Sequence, residues 1–335
     1  MSDPNPEFQA PPPPPVIEPE PERRRPTNLM WAGVALIVIG IIIVVLGIPG
    51  LALIVGGIGT GAAVCCLGIL FFAFSFLRLP AVKDPPPKMS TGATLAGIFF
   101  EPTSVFRNLR AHPQWMAAIL LVGIANGAYS VAFNHRLTPE RIINFTMDKL
   151  EESPIKPPPE RMAKARTEGV EQAKALTFQA GDLVKKIVSA FFGVAFVAAL
   201  CLLGVLAFGG RMHYWQTYAA VAYVTFPVTL IQKGISFIIL YLKSPDDIHP
   251  LLGQESLVYD NLGLLVAAKD HPVIFVMATS IGVLSFYRLW LTATGLREAG
   301  YKVSATAAWG VTITLFVLFL LLGMAAAMLF GSMFG

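Results

Sequence analysis

The sequence predicts an all-α fold: a polytopic integral membrane helix bundle of about seven transmembrane helices, with an amphipathic helical loop outside the membrane. Three observations predict it. Hydrophobic residues fill 55% of the 335 positions and charged residues only 14%, against roughly a quarter charged in a soluble domain. The apolar residues fall in stretches long enough to cross a hydrocarbon core about 30 Å thick, which takes about 20 residues of helix. Those stretches are continuously apolar instead of alternating. That favours helices over a barrel, the two structures that satisfy their own backbone in lipid.

In chain order, Met1–Asn28 is rich in proline and glutamate, with Pro11 to Pro15 in a row and then Glu18-Pro19-Glu20-Pro21-Glu22. With no apolar face to bury, it is expected to be a disordered or polyproline-type cytoplasmic tail, either simply solvated or a ligand for a proline-recognising domain. It lacks the basic opening of a secretory leader. Residues 29–77 read as a transmembrane hairpin, Leu29–Gly47 and Leu51–Leu77, joined at Ile48-Pro49-Gly50. Gly56, Gly57, Gly59, Gly61, Ala62 and Ala63 form a small-residue strip in the second span, and Gly40 and Gly47 have a similar role in the first. Small residues let helix backbones approach closely in lipid, so the strip predicts pairing within the hairpin or, alternatively, an oligomer interface. Residues 78–94 read as a cytoplasmic linker. Five further spans follow: Trp115–Phe133, Ile187–Phe208, Trp215–Tyr241, Val273–Leu296 and Val303–Phe330.

Orientation follows from lysine and arginine near the span ends. Arg23, Arg24 and Arg25 precede the first span, and Arg78, Lys83, Lys88, Arg107, Arg110, Arg211, Arg297 and Lys302 fall on the same side by alternation. The loop from Leu242 to Pro272 holds Asp246, Asp247, Glu255, Asp260 and Asp270 against Lys243 and Lys269. The expectation is a cytoplasmic N-terminus and a C-terminus on the opposite side, in the inner membrane if the cell is prokaryotic.

The loop 134–186 carries both signs of charge. Thr138-Pro139-Glu140 is a helix-start signal, after which Ile143, Met147 and Leu150 share a face until Pro157-Pro158-Pro159. A second helix is expected from the recurrence of Met162, Gly169, Ala173, Leu176, Ala180 and Leu183, continuing into the fourth span. This coiled-coil-like loop reads either as a partner-binding lid or as amphipathic helices lying on the bundle or the lipid surface.

Before the third span, Pro102 opens a short helix that Thr103 or Ser104 can cap, with Val105, Phe106 and Leu109 on one side and Arg107 and Arg110 on the other. That pattern predicts an interfacial helix, aromatic towards lipid and basic towards water. Pro113 ends it, and Trp115 stands where an interfacial tryptophan belongs. These residues resemble the start of the Yip1 domain. The resemblance extends to Tyr223-Val-Thr-Phe-Pro227 and to Phe286-Tyr-Arg-Leu-Trp290 followed by Gly295-Leu296, and it covers residues 95–330. It implies a five-helix membrane domain, N-terminal side cytoplasmic. In eukaryotic members it implies an association with vesicle trafficking and Rab-type GTPases, and it brings no catalytic residues.

Polar groups inside spans are costly and therefore informative. Asn126, Gln216, Gln232, Lys233 and Arg288 are the notable ones, and no carboxylate falls within any expected span. That absence argues against proton relays and cation-coupled carriers. Lys233 is expected to snorkel outward past Tyr241. Arg288 reads either as an anchor, bonded to Asn126, to carbonyls near Pro227 or to headgroup phosphates, or as part of an anion or lipid-headgroup site. Cys65, Cys66 and Cys201 lie in apolar runs and read as small apolar side chains. The five histidines do not cluster, and Asn144-Phe145-Thr146 fits a glycosylation acceptor. No H-E-x-x-H, G-x-S-x-G or phosphate-loop motif occurs, so no enzyme, cofactor or metal is expected. A net charge of +4 gives no ground for nucleic acid binding.

The resulting expectation is a non-enzymatic membrane-organising scaffold or adaptor, with Phe100, Pro102, Phe106, Arg107, Arg110 and Trp115 as the interfacial recognition set. Its partners would be the lipid bilayer, a membrane or cytoplasmic protein, and a second copy of itself. The alternative is a transporter or channel for a small neutral or anionic solute, using Asn126, Lys233 and Arg288.

Overall fold

A computed structural model describes residues 29–47, 57–75, 85–152, 158–266 and 271–330. The proline-rich tail, the Ile48-Pro49-Gly50 turn and the start of the 78–94 linker lie outside the described residues. Within them the chain is helical, with one isolated bridge between Asn261 and Gly282.

Helices α1 (Leu29–Leu46) and α2 (Gly57–Ser75) pack against each other along the small-residue strip. A Cβ placed on Gly40 would lie 2.6 Å from the Cys65 backbone nitrogen, and one on Gly61 would lie 2.6 Å from the Gly40 oxygen. The helices therefore meet backbone to backbone, as small residues permit in lipid. Gly33 and Gly68 extend the same contact line, while Gly59 turns away towards Lys185.

Two short helices follow, α3 (Thr91–Phe100) and α4 (Pro102–Ala111), then α5 (Met116–Leu137). Ser90 caps α3 by accepting from the Ala93 nitrogen at 3.2 Å. Proline opens α4 at its first turn, where no amide donor is needed. Its N-cap residue is Glu101, so the expected hydroxyl cap at Thr103 or Ser104 is not used.

The loop after α5 folds as α6 (Pro139–Glu152) and α7 (Pro159–Lys174), which pack together through Arg166 to Asp148 and Glu151, and through Lys174 to Glu140. The Thr138-Pro139 start signal holds, with Thr138 at φ 64° turning the chain off α5. The expected continuous helix into the fourth span is broken at one residue, Ala175, after which α8 runs Leu176–Ala207. Then come α9 (Tyr214–Leu242), the four-residue α10 (Leu252–Glu255), α11 (Pro272–Thr279), α12 (Val283–Ala299) and α13 (Ala305–Phe330).

By length and composition, four helices among the described residues can cross a membrane: Met116–Leu137, Gln179–Ala207, Tyr214–Leu242 and Ala305–Met328. The expected sixth span, Val273–Leu296, is not one helix. It divides into α11 and α12 at Ser280–Gly282, where the chain pairs with the preceding loop. Leu262 donates its amide to the Ile281 oxygen, and Asp260 accepts from the Val283 and Leu284 amides, the latter at 2.7 Å. The Asp260 carboxylate thus takes the Leu284 amide and its backbone oxygen the Val283 amide, satisfying two free donors at the start of α12. Gly282 is needed there because a Cβ would sit 2.9 Å from that of Asn261.

The main core lies between α4, α5, α8, α9 and α12. At its centre Trp115 stacks on Trp215 at 5.6 Å and meets Tyr218 and Phe191 edge-on. A second core at the opposite end joins Tyr129, Phe133 and Leu137 to Ile142, Leu240, Ile248 and Leu257.

Candidate functional site

Two places hold the residues that carry chemistry. The first is the end of the bundle formed by α4, the start of α9 and the end of α12. Glu298, with a side chain only 7% exposed, takes Arg107 Nε at 2.8 Å on one oxygen and Arg297 Nη2 at 3.0 Å on the other. Arg110 donates through Nε and Nη2 to the Glu298 backbone oxygen at 3.0 and 2.7 Å, and its guanidinium lies over the Tyr301 ring. Gln216 Nε2 donates to the Arg110 oxygen at 2.8 Å. Asn108 holds the segment before α3 by donating to Pro87 and accepting from Met89.

This geometry corrects the interfacial reading of α4. Val105, Phe106 and Leu109 are fully buried in protein and do not face lipid. Phe106 packs on Gly295 of α12. Trp115 likewise sits in the aromatic core at 7% exposure. Arg110 is tied to backbone, leaving Phe100, which is 83% exposed, with Pro102 and Arg107 as the accessible part of the expected set. They border an open groove of about 720 Å³ that Pro86, Pro87 and Trp290 complete. Sequence reasoning missed Glu298, although it is the acid that stands among the basic residues at the end of the sixth stretch.

The second place is a cavity of about 350 Å³ between α5, α8, α9 and α12. It brings Asn126, Lys233 and Arg288, three residues from three different helices, to one lining. Residues one turn apart build the α9 wall, with Val221, Thr225, Thr229 and Lys233 descending a single face; Asn126 and Ser130 do the same on α5. Lys186 adds a third cation and Glu255 a carboxylate.

Lys233 does not snorkel. It is 8% exposed, its ammonium lies 4.7 Å from the centre of the Tyr129 ring, and it donates to the Glu255 backbone oxygen. Tyr129 in turn donates to the Gly253 oxygen at 2.6 Å, so the loop after α9 is drawn over the cavity. Asn126 donates within its own helix to the Val122 oxygen. The expected bond from Arg288 to Asn126 is not formed, and the Arg288 side chain has no hydrogen bond or ion pair among the described residues.

The expectation that no carboxylate enters the membrane bundle is also corrected. Asp182 belongs to the span Gln179–Ala207 and accepts from Ser130 at 2.9 Å, and Glu255 reaches the cavity from the loop. Neither was linked to the polar residues of the bundle from the sequence, because one precedes the purely apolar run and the other is distant in sequence.

No curated protein and no solved structure matches the chain. The family model of the Yip1 domain matches residues 96–327, which contain both the α4 platform and the polar cavity. The chain is a multi-pass membrane protein that belongs to the Yip1 domain family.

Proposed function

We propose that this protein is a non-enzymatic membrane-organising scaffold or adaptor whose α3–α4 end faces the cytoplasm. The orientation rests on Lys88, Arg107, Arg110, Arg211, Arg297 and Lys302 at that end, against Asp246, Asp247 and Asp260 at the other. One observation carries the docking role: Phe100 projects at 83% exposure beside Arg107, on a platform otherwise locked to the bundle through Glu298. A large exposed aromatic next to a guanidinium on a rigid support is the composition of an interface anchor. The partner it fits is a protein that presents an apolar side chain flanked by acidic residues. Family membership supports a trafficking-related setting.

The test is affinity capture from mild detergent, comparing the wild type with Phe100→Asp and with Phe100→Asp combined with Thr103→Glu. Thermal unfolding of each form confirms that the bundle is intact. A defined partner recovered by the wild type and lost in both variants is the expected result. The same partners on all three forms would refute the docking role, and self-association lost in the variants would identify a second copy as the occupant.

The cavity favours a second reading, passage of a small neutral or anionic solute. Its test is flux into proteoliposomes with and without Arg288→Gln; flux indifferent to that change removes it.

A further inference from the structure

We propose that the cavity between α5, α8, α9 and α12 binds a phosphate group, a function separate from docking at the α4 platform. Three cationic side chains line it, the buried Lys233, the half-buried Lys186 and the exposed Arg288, against one carboxylate, Glu255, leaving an excess of two positive charges around its wall. Asp182, which accepts from the lining residue Ser130, offsets part of that excess. An ionised side chain within a membrane bundle is expensive and is retained where a partner or a wet pathway meets it.

Lys233 has its partner in the Glu255 backbone oxygen. Arg288 is exposed, lines the cavity and has no hydrogen-bonding partner among the described residues, so its guanidinium is free to meet a ligand there. A planar guanidinium fork matches two oxygens of a phosphate, with charge-assisted bonds about twice as strong as neutral ones. The hydroxyls of Ser189 and Thr229 provide neutral donors around it. Thr225 donates within its own helix to the Val221 oxygen and is not counted among them. The volume of about 350 Å³ holds a phosphate or a phosphoglycerol headgroup and lies at the small end of ligand pockets.

Two sources present that chemistry, a lipid headgroup and free phosphate. The same region also supplies a way to block the site without touching charge. Gly193 borders the cavity and is exposed, and a Cβ added there meets nothing within 4 Å, so a leucine there can narrow the cavity mouth at no steric cost to its Cβ.

The experiment uses the full chain in maltoside micelles, titrated separately with phosphatidylglycerol, with a diacylglycerol of the same acyl chains, and with inorganic phosphate. Bound species are counted by native mass spectrometry for the wild type, Arg288→Gln and Gly193→Leu. Phosphatidylglycerol bound in preference to diacylglycerol, and weakened at least tenfold in both variants, is the expected result and identifies the headgroup as the source. Inorganic phosphate bound with the same sensitivity to the two variants supports the site with free anion as the source. Phosphatidylglycerol and diacylglycerol bound alike, or either anion bound equally by wild type and variants, overturns the proposal. If Arg288→Gln does not fold, Gly193→Leu decides alone, since it changes no charge and its Cβ meets no neighbour within 4 Å.

Discussion

Replacing Phe106 by alanine separates the buried platform found here from a lipid-facing interfacial helix. The ring is fully buried, and a Cβ on Gly295 of α12 would lie 3.1 Å from its edge, so α4 and α12 are in direct contact through it. Truncation removes a fully packed aromatic and leaves a cavity between α4 and α12 that their backbones cannot close, because Arg107 and Arg110 hold α4 to Glu298. Substitutions of that kind cost about 3–5 kcal/mol. With a shift of about 2–4 °C per kcal/mol in a chain of 150–250 residues, the unfolding midpoint should fall on the order of 10 °C. Thermal unfolding in mild detergent, followed by loss of monodisperse protein, reads this directly. Phe100→Ala is the internal reference: its ring is 83% exposed, and its loss should shift the midpoint by little. An equally small shift for both variants would refute the packing argument. A ring facing lipid leaves one apolar environment for another, and its removal creates no void.

Three further outcomes follow from the same reasoning. Gly40→Ala should destabilise the α1–α2 pair by about 1–3 kcal/mol, because its Cβ would meet the Cys65 nitrogen at 2.6 Å, whereas Gly193→Ala should be silent; disulfide trapping between cysteines placed on the two helices reports the separation. Tyr129→Phe leaves the Gly253 oxygen without its 2.6 Å donor. A loss of about 1 kcal/mol is expected, read as faster amide exchange in the 249–258 segment. Burial, and then the Lys149 ammonium, hold the His249 imidazole below its ordinary value of 6.5. The folded chain therefore takes up the proton less readily than the unfolded one. Loop stability is full above about pH 6.5 and declines as pH falls through that value. Protonation also removes the acceptor that Nδ1 offers the Leu251 and Leu252 amides, so exchange protection there should weaken in the same window.

The sequence by itself determined the solvent of this protein, the helical class and the position of most of the long helices, because lipid imposes long continuous apolar runs that composition reveals directly. It also marked Gly40 and Gly61 as points of close helix approach, while whether they meet within the hairpin or between two copies was left to the packing. The start of α6 at Thr138-Pro139 was legible for the same local reason, a capping signal that acts within one turn. What it could not determine was where an amphipathic face points. Phe106 and Arg107 in α4 have the pattern of a helix lying on lipid, and only the placement of Gly295 and Glu298, nearly two hundred residues away, turned that face into core. The break at Ser280–Gly282 was hidden because apolar residues continue through it; it exists because Asp260 caps the new helix end from a loop. Asn126, Lys233 and Arg288 were each recognisable as costly groups, one helix at a time. Their meeting in one cavity, with Lys186 and Glu255, was decided by the packing of α5, α8, α9 and α12, since helix periodicity fixes which residues share a face and only tertiary contacts fix what that face meets.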